Sequence, residues 1–398
     1  MPVRLFSDWN GQHLISIVYQ VHLRRKHELQ TACPRRIGEV SETRNPYKQP
    51  EAVIGRQVSD RQRLLRNEAE DYLRGVVMDY APRQLEHWKR DYSSVKGFRE
   101  SVEPNRRRWQ EAVGVFEEDG TDLDPRFDLW CEEEQFTAWW VSVGLAGGLR
   151  GRGILALPRH SGEPSPLVIA QHGIGSSPER VFGLDDPSDI YKGYGRRLVE
   201  EGFAVIAPLN VAGGPPRARL ERLCKLLGKT LWGLEIYRTQ RLLDYLETRD
   251  EIDVERTAMY GISLGGAYTM FTTPLEKRIG AAVVCAWFND RRHKMAIDDP
   301  RYSCFLSVDE EHIWIPGWLR EFTDSDLASL ICPRPLLVEQ GKADGIAWWP
   351  LMQKEYEETR EHYRRLGLEE RIEIDLHEGG HEIRLEKSLT FLKKWLRP

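Results

Sequence analysis

Thr257-Ala258-Met259-Tyr260-Gly261-Ile262-Ser263-Leu264-Gly265-Gly266 passes from an apolar, strand-like run into a serine spaced between glycines, and AYTMFTT after it reads as helix. The G-x-S-x-G spacing is informative only in that strand-to-helix context, which is present here. A serine in so tight a turn is crowded, so a Cβ at position 261 or 265 would collide with neighbouring backbone. The helix that opens behind it offers unpaired N–H groups and the positive end of its dipole to a developing negative charge. Ser263 is therefore the candidate nucleophile, and the backbone N–H of Leu264 a candidate donor to an oxyanion. A glycine-rich turn that merely contains serine is the competing reading, and the flanking strand and helix weigh against it.

Working outward, PLVIAQHG (166–173), FAVIAPLN (203–210), AAVVCAWF (281–288) and RPLLVEQG (334–341) are continuous apolar runs, the pattern of parallel strands buried on both faces. FTAWWVSVGL (136–145), GRGILALP (151–158) and RIEIDL (371–376) add further strands. Helical periods fall between them at 194–202, 232–249, 264–273 and 351–367, and EKSLTFLKKWLRP closes the chain. Regular alternation predicts a mostly parallel, doubly wound α/β sheet with helices on both faces. Ligands of such sheets sit at the carboxyl ends of strands, and the chemistry is sought there.

Gln171-His172-Gly173-Ile174-Gly175 ends one of these strands, where a loop could supply a second oxyanion donor, assigned to the Ile174 N–H. His172 reads as a residue that fixes this loop by hydrogen bonding, with a place in the substrate pocket or a role as base as lesser readings. A serine hydroxyl needs a base, and the base needs an orienting carboxylate. In sheets that carry this chemistry the chain order is Ser, then Asp or Glu, then His. Asp344 lies in the turn after RPLLVEQG and is the preferred acid; Asp290, after AWFN, is its competitor. His381, after the last strand and before the closing helix, is the candidate base. His377-Glu378-Gly379-Gly380-His381 also matches the zinc-protease pattern H-E-x-x-H, which requires a helix. Two adjacent glycines cost about 1 kcal/mol each in a helix interior and the preceding run is strand-like, so no metal is assigned.

Lys and Arg total 57 against 62 Asp and Glu, a formal charge of −5 that leaves no basic footprint for nucleic acid. The six cysteines have no paired spacing and read as thiols. The opening MPVRLFSDWNGQHLISIVYQ lacks an unbroken apolar run, and no stretch approaches the roughly 18 apolar residues of a membrane span, so a cytoplasmic, membrane-free protein is expected. Residues 40–60 read as an irregular connection, 61–80 as an amphipathic helix, and QLEHWKRDY (84–92) as another helix. The Arg106-Arg107-Arg108 run reads as a solvated face.

With AQHGIG, YGISLGG, PRPLLVEQGKADGI, HEGGHE and the helix WGLEIYRTQRLLDYLETRDEID in place, residues 134–398 resemble the α/β-hydrolase superfamily, within it the dienelactone-hydrolase and acetyl-xylan-esterase-like branch. The resemblance implies an α/β-hydrolase fold and a serine esterase using Ser263, Asp344 and His381, without metal or organic cofactor, on a small-molecule ester. Dienelactone hydrolases use cysteine, so the serine points toward ordinary carboxylic esters. It also implies two parts, an N-terminal mainly helical extension (1–130) and a catalytic domain (131–398) with an insertion at about 288–330. That insertion, with Trp348 and Trp349 beside Asp344, is the expected source of a substrate pocket, and Asp290 could line it. Arg291, Arg292 and His293 read as a surface charge cluster. A homo-oligomer is left open. Two alternatives stand: a peptidase of the prolyl-oligopeptidase type, although 1–130 shows no blade repeat, and a silent hydrolase fold, although no triad member is missing.

Overall fold

The computed structural model describes residues 45–80, 84–117, 122–159, 162–211 and 213–397. The chain divides into two compact units, Met1–Asp71 and Tyr72–Pro398. In the first, a 3-10 turn (Pro46–Lys48) precedes α1 (Glu51–Met78), a helix that runs on across the division. It starts within the stretch expected to be irregular, after Pro50, whose carbonyl accepts from the Val53 and Ile54 N–H groups.

The second unit holds one nine-stranded sheet: β1 (Arg126–Glu132), β2 (Phe136–Ala146), β3 (Leu149–Pro158), β4 (Ser165–Gln171), β5 (Ala204–Pro208), β6 (Ile252–Ile262), β7 (Ile279–Cys285), β8 (Leu336–Gly341) and β9 (Ile372–His377). Its order is β1-β2-β3-β5-β4-β6-β7-β8-β9. The first three strands form an antiparallel meander laid on β5, and every pairing from β5 to β9 is parallel. The chain leaves β4 to one side and returns to its other side as β6. The crevice beyond their carboxyl ends is thus the switch point where such sheets bind ligands.

Successive residues of the central strands face opposite layers, as the period of two requires. Ile169, Met259, Ala282 and Val338 enter one core; Val168, Ala258, Val283 and Leu337 enter the other. The first core is covered by α2 (Val95–Val113), by α6 (Leu231–Leu246), which follows the short α3 (Pro178–Val181), α4 (Tyr194–Glu200) and α5 (Gly214–Leu226), and by α7 (Leu264–Thr272). The second is covered by α4 and by α12 (Glu386–Leu396). Between β7 and β8 lie α8 (Arg291–Ala296), α9 (Trp318–Glu321) and α10 (Asp324–Ser329), and α11 (Trp349–Arg365) joins β8 to β9.

The division of the chain differs from the expected one at 130/131. Residues from Tyr72 onward belong with the sheet, and β1, which straddles that boundary, pairs with β2 along its length. On α2, Phe98, Val102, Asn105, Trp109 and Val113 recur every three or four residues and are all buried. Trp109 meets Phe271 and Phe322 edge-on with centroids 4.9 and 5.3 Å apart. Nor is the arginine run a uniformly solvated face. Arg106 donates to the carbonyls of Pro274 and Leu330, and Arg108 Nε donates to both oxygens of the Glu321 carboxylate at 2.7 and 2.8 Å. The helix expected at 84–92 is only a 3-10 turn, Leu85–His87. Side chains anchor this segment instead, with Gln84 donating to Leu319 O and the Trp88 indole to Glu321 O.

Candidate active site

Ser263 occupies a left-handed backbone conformation (φ 59°, ψ −122°) between β6 and α7. The neighbouring glycines are forced by backbone rather than by side chains. A Cβ on Gly261 would stand 2.3 Å from Gly265 O, one on Gly265 2.2 Å from Gln171 O, and one on Gly266 2.5 Å from Cys285 O. Gly265→Ala would have to push the end of β4 away from the turn. The expected loss is about 3 kcal/mol or more in chemical denaturation, whereas Gly345→Ala, which meets nothing within 4 Å, serves as the neutral control. Wild-type stability of Gly265→Ala would refute this account of the turn.

Register places β4 and β6 so that Gln171 lies opposite Gly261, and the loop after β4 therefore runs beside the serine. Space at Gly173 is bounded by Ser263 Cβ and Ile262 O. Its N–H donates to the Tyr191 hydroxyl at 3.0 Å, and the next residue, Ile174, is half-buried. Asp344, in the turn after β8, is buried. Its Oδ2 accepts from His381 Nδ1 at 2.8 Å and from Gln340 Nε2 at 3.0 Å, and its Oδ1 accepts from the Ile346 N–H at 2.9 Å. Burial raises the pKa of this carboxyl, but the bond to His381 and that imidazole's charge outweigh it, and the group stays below the usual carboxylate range. His381 keeps a quarter of its side chain exposed. The loops bearing Ser263 and His381 meet over Cys285, whose carbonyl accepts from the Ser263 N–H at 3.0 Å and whose thiol donates to Glu382 O at 3.5 Å.

Solved structures share this arrangement of strands. A provisionally named acetyl xylan esterase from Bacteroides fragilis NCTC 9343 superposes with a TM-score of 0.62 at 18% identity, over 77% of this chain and 81% of its own. This is the α/β-hydrolase fold. A glucuronoyl esterase from Teredinibacter turnerae T7901 gives a TM-score of 0.56 at 16% identity, over 78% of this chain and 90% of its own. By sequence the chain is 25% identical over 276 residues to YtaP of Bacillus subtilis (strain 168), whose provisional name is hydrolase; the match spans 67% of this chain and 90% of YtaP. No family model matches.

Within the α/β-hydrolase fold, His172 fixes its loop by hydrogen bonding, as expected, whereas Asp290 caps a helix. His172 is 1% exposed. Its Nδ1 donates to Gly173 O at 2.8 Å and its Nε2 accepts from the Asn210 N–H at 3.1 Å, so it shapes the loop. Asp290 is equally buried and caps α8, accepting from the Arg292 and His293 N–H groups, with its other oxygen 3.0 Å from His293 Nδ1. Burial raises its pKa, but His293, Arg292 and Lys354 together hold it well below the carboxylate range. Trp348 and Trp349 are half-buried at the start of α11. Arg301 covers one face of Trp348 at 3.7 Å, so that face is closed to a sugar ring. Arg291 is no surface charge either, since its Nε donates to the buried Asp324 at 2.9 Å and its guanidinium lies 4.2 Å over Trp287.

The segment His377–His381 is the end of β9 and a turn, not the helix that the zinc pattern needs, and His377 Nδ1 accepts from the Gly379 N–H. Among the described residues no helix is long and apolar enough to cross a membrane. Lys294 was not singled out by sequence, being one more charge in RRHK. It is 6% exposed and donates to Ile346 O at 2.5 Å, steadying the residue whose N–H holds Asp344.

Two buried histidines make the fold acid-sensitive. Burial lowers the pKa of His172 to about 4 and that of His312 to about 2, against 6.5 for a free imidazole. Below pH 6.5 the unfolded chain takes up protons that the folded one refuses. The contribution is therefore complete above pH 6.5 and is lost on acidification, by about 3 kcal/mol per pH unit between pH 5.5 and 4.5 for the pair. Urea denaturation at those pH values, compared between wild type and His312→Gln, measures the His312 share, and the same slope in both proteins would contradict it.

Proposed function

We propose that the chain is a serine carboxylic-ester hydrolase working through an acyl-enzyme. The observation that carries the reading is the 2.8 Å bond from His381 Nδ1 to the buried Asp344, made on a loop tied through Cys285 to the Ser263 turn. With Nδ1 donating to the carboxylate, the ring presents Nε2 as a proton acceptor. Nε2 takes the Ser263 proton as Oγ attacks the ester carbonyl, and Asp344 stabilises the imidazolium that forms. Since Tyr191 already receives the Gly173 N–H, the N–H groups of Ile174 and Leu264 remain to hold the oxyanion. His381 then protonates the leaving alcohol, and water releases the acyl group by the same route. None of these steps calls for a metal or organic cofactor.

The names borne by similar proteins, acetyl xylan and glucuronoyl esterases, favour esters of carbohydrates, with acetylated sugars first and small esters second. A panel of p-nitrophenyl esters of increasing acyl length, acetylated xylo-oligosaccharides and aminoacyl anilides tests this. Acetyl esters are expected to be turned over best, with no anilide cleavage. Hydrolysis of anilides alone would favour a peptidase and overturn the proposal.

A further inference from the structure

Glu339 is an acidic residue within the apolar run Leu336–Gln340 of β8, and it is fully buried. The Tyr260 hydroxyl lies 3.1 Å from each of its carboxyl oxygens, the Arg384 N–H donates to Oε1 at 3.0 Å, and the Ser388 hydroxyl donates to Oε2. Burial raises its pKa, and the nearby Asp375 acts in the same direction. A carboxyl here is costly to bury, and packing alone would be served better by an apolar side chain. Its partners suggest what it is for. Tyr260 stands on β6 three residues before Ser263, while Arg384 and Ser388 flank Leu385, a non-glycine residue held at φ 69° at the end of the His381 loop. Such a conformation persists only where the surroundings over-determine it.

We infer that Glu339 is a positioning residue that fastens the loop carrying His381 to the strand carrying Ser263, through Arg384, Ser388 and Tyr260. The inference rests on the serine-esterase reading. Other ties also hold this loop: Gly379 O accepts from the Ala343 N–H, Glu382 O from the Cys285 thiol, the Ile383 N–H donates to Ile190 O, His381 donates to Asp344, and Lys342 and Lys192 pair with Glu378 and Glu382. Of them all, the Glu339 tie is the one that reaches back to the serine strand through a side chain of that strand.

Glu339→Gln, Ser388→Ala and Tyr260→Phe test it, with kcat and KM for p-nitrophenyl acetate and hydrogen exchange over residues 378–388 read on each folded variant. Glu339→Gln is expected to lower kcat by about 10- to 100-fold with KM within about twofold of wild type, and to speed exchange in the loop. Ser388→Ala should give the same pattern more weakly. A folded Glu339→Gln variant with wild-type kcat, or with unchanged exchange at 381–385, would overturn the inference. Should Glu339→Gln fail to fold, unchanged kcat and exchange in both other variants would overturn it. A wild-type protein without esterase activity would instead strike at the proposed function, while the exchange comparison would still judge the clamp.

Discussion

Ser263→Ala is expected to lower kcat/KM for the best ester substrate by about 10⁵-fold, leaving only the rate that binding and backbone oxyanion donors give to attack by water. His381→Ala should be nearly as damaging, and the double variant little worse than either single one, because nucleophile and base act as a unit. Neither change should weaken the fold. Ser263 Cβ is retained in the alanine variant, and His381, a quarter exposed, gives up one hydrogen bond to Asp344. Steady-state kinetics with thermal melting as control separates the two possibilities. Equal turnover by wild type and Ser263→Ala would mean that the nucleophile is misassigned.

The second large effect decides between the two carboxylates that sequence alone left in competition. Asp344→Asn should lower kcat by about 10³- to 10⁴-fold, since an amide facing Nδ1 favours the wrong tautomer and no longer stabilises the imidazolium. Asp290→Asn should change kcat by less than about threefold, because Asp290 caps α8 and pairs with His293, and asparagine is itself a good cap. The reverse ranking in kcat would move the acid from the end of β8 to the end of β7.

What was legible in the sequence follows from which physical signals are local. The strands β4, β5, β7 and β8 are apolar runs because both faces of the sheet are covered there, and burial of that kind shows in composition. Ser263, Asp344 and His381 stood out because each lies at a strand end, where small residues and turns leave few other reasons for a serine, an aspartate or a histidine. β1 was missed because Phe127 and Leu129 stay exposed at the sheet edge, so its sequence, RFDLWCE, shows no buried stripe. The segment 84–92 misled because the Trp88 indole and the Gln84 amide hold it to distant carbonyls, and no local period records such anchoring. Asp290 looked available for substrate and Arg291 looked like a surface charge because sequence does not reveal that Asp290 is buried beside Arg292 and Arg291 against Asp324. Glu339 did leave a signal, a lone acid inside an apolar strand, and only the folded chain shows that it faces Tyr260, Arg384 and Ser388.

The central claim is that Ser263 is made nucleophilic by His381, and active-site labelling addresses it directly. Wild-type protein treated with a fluorophosphonate and digested should carry one adduct, on the peptide containing Ser263, and Asp344→Asn should acquire it far more slowly. An adduct on another residue, or labelling of Ser263→Ala at the wild-type rate, would contradict the account.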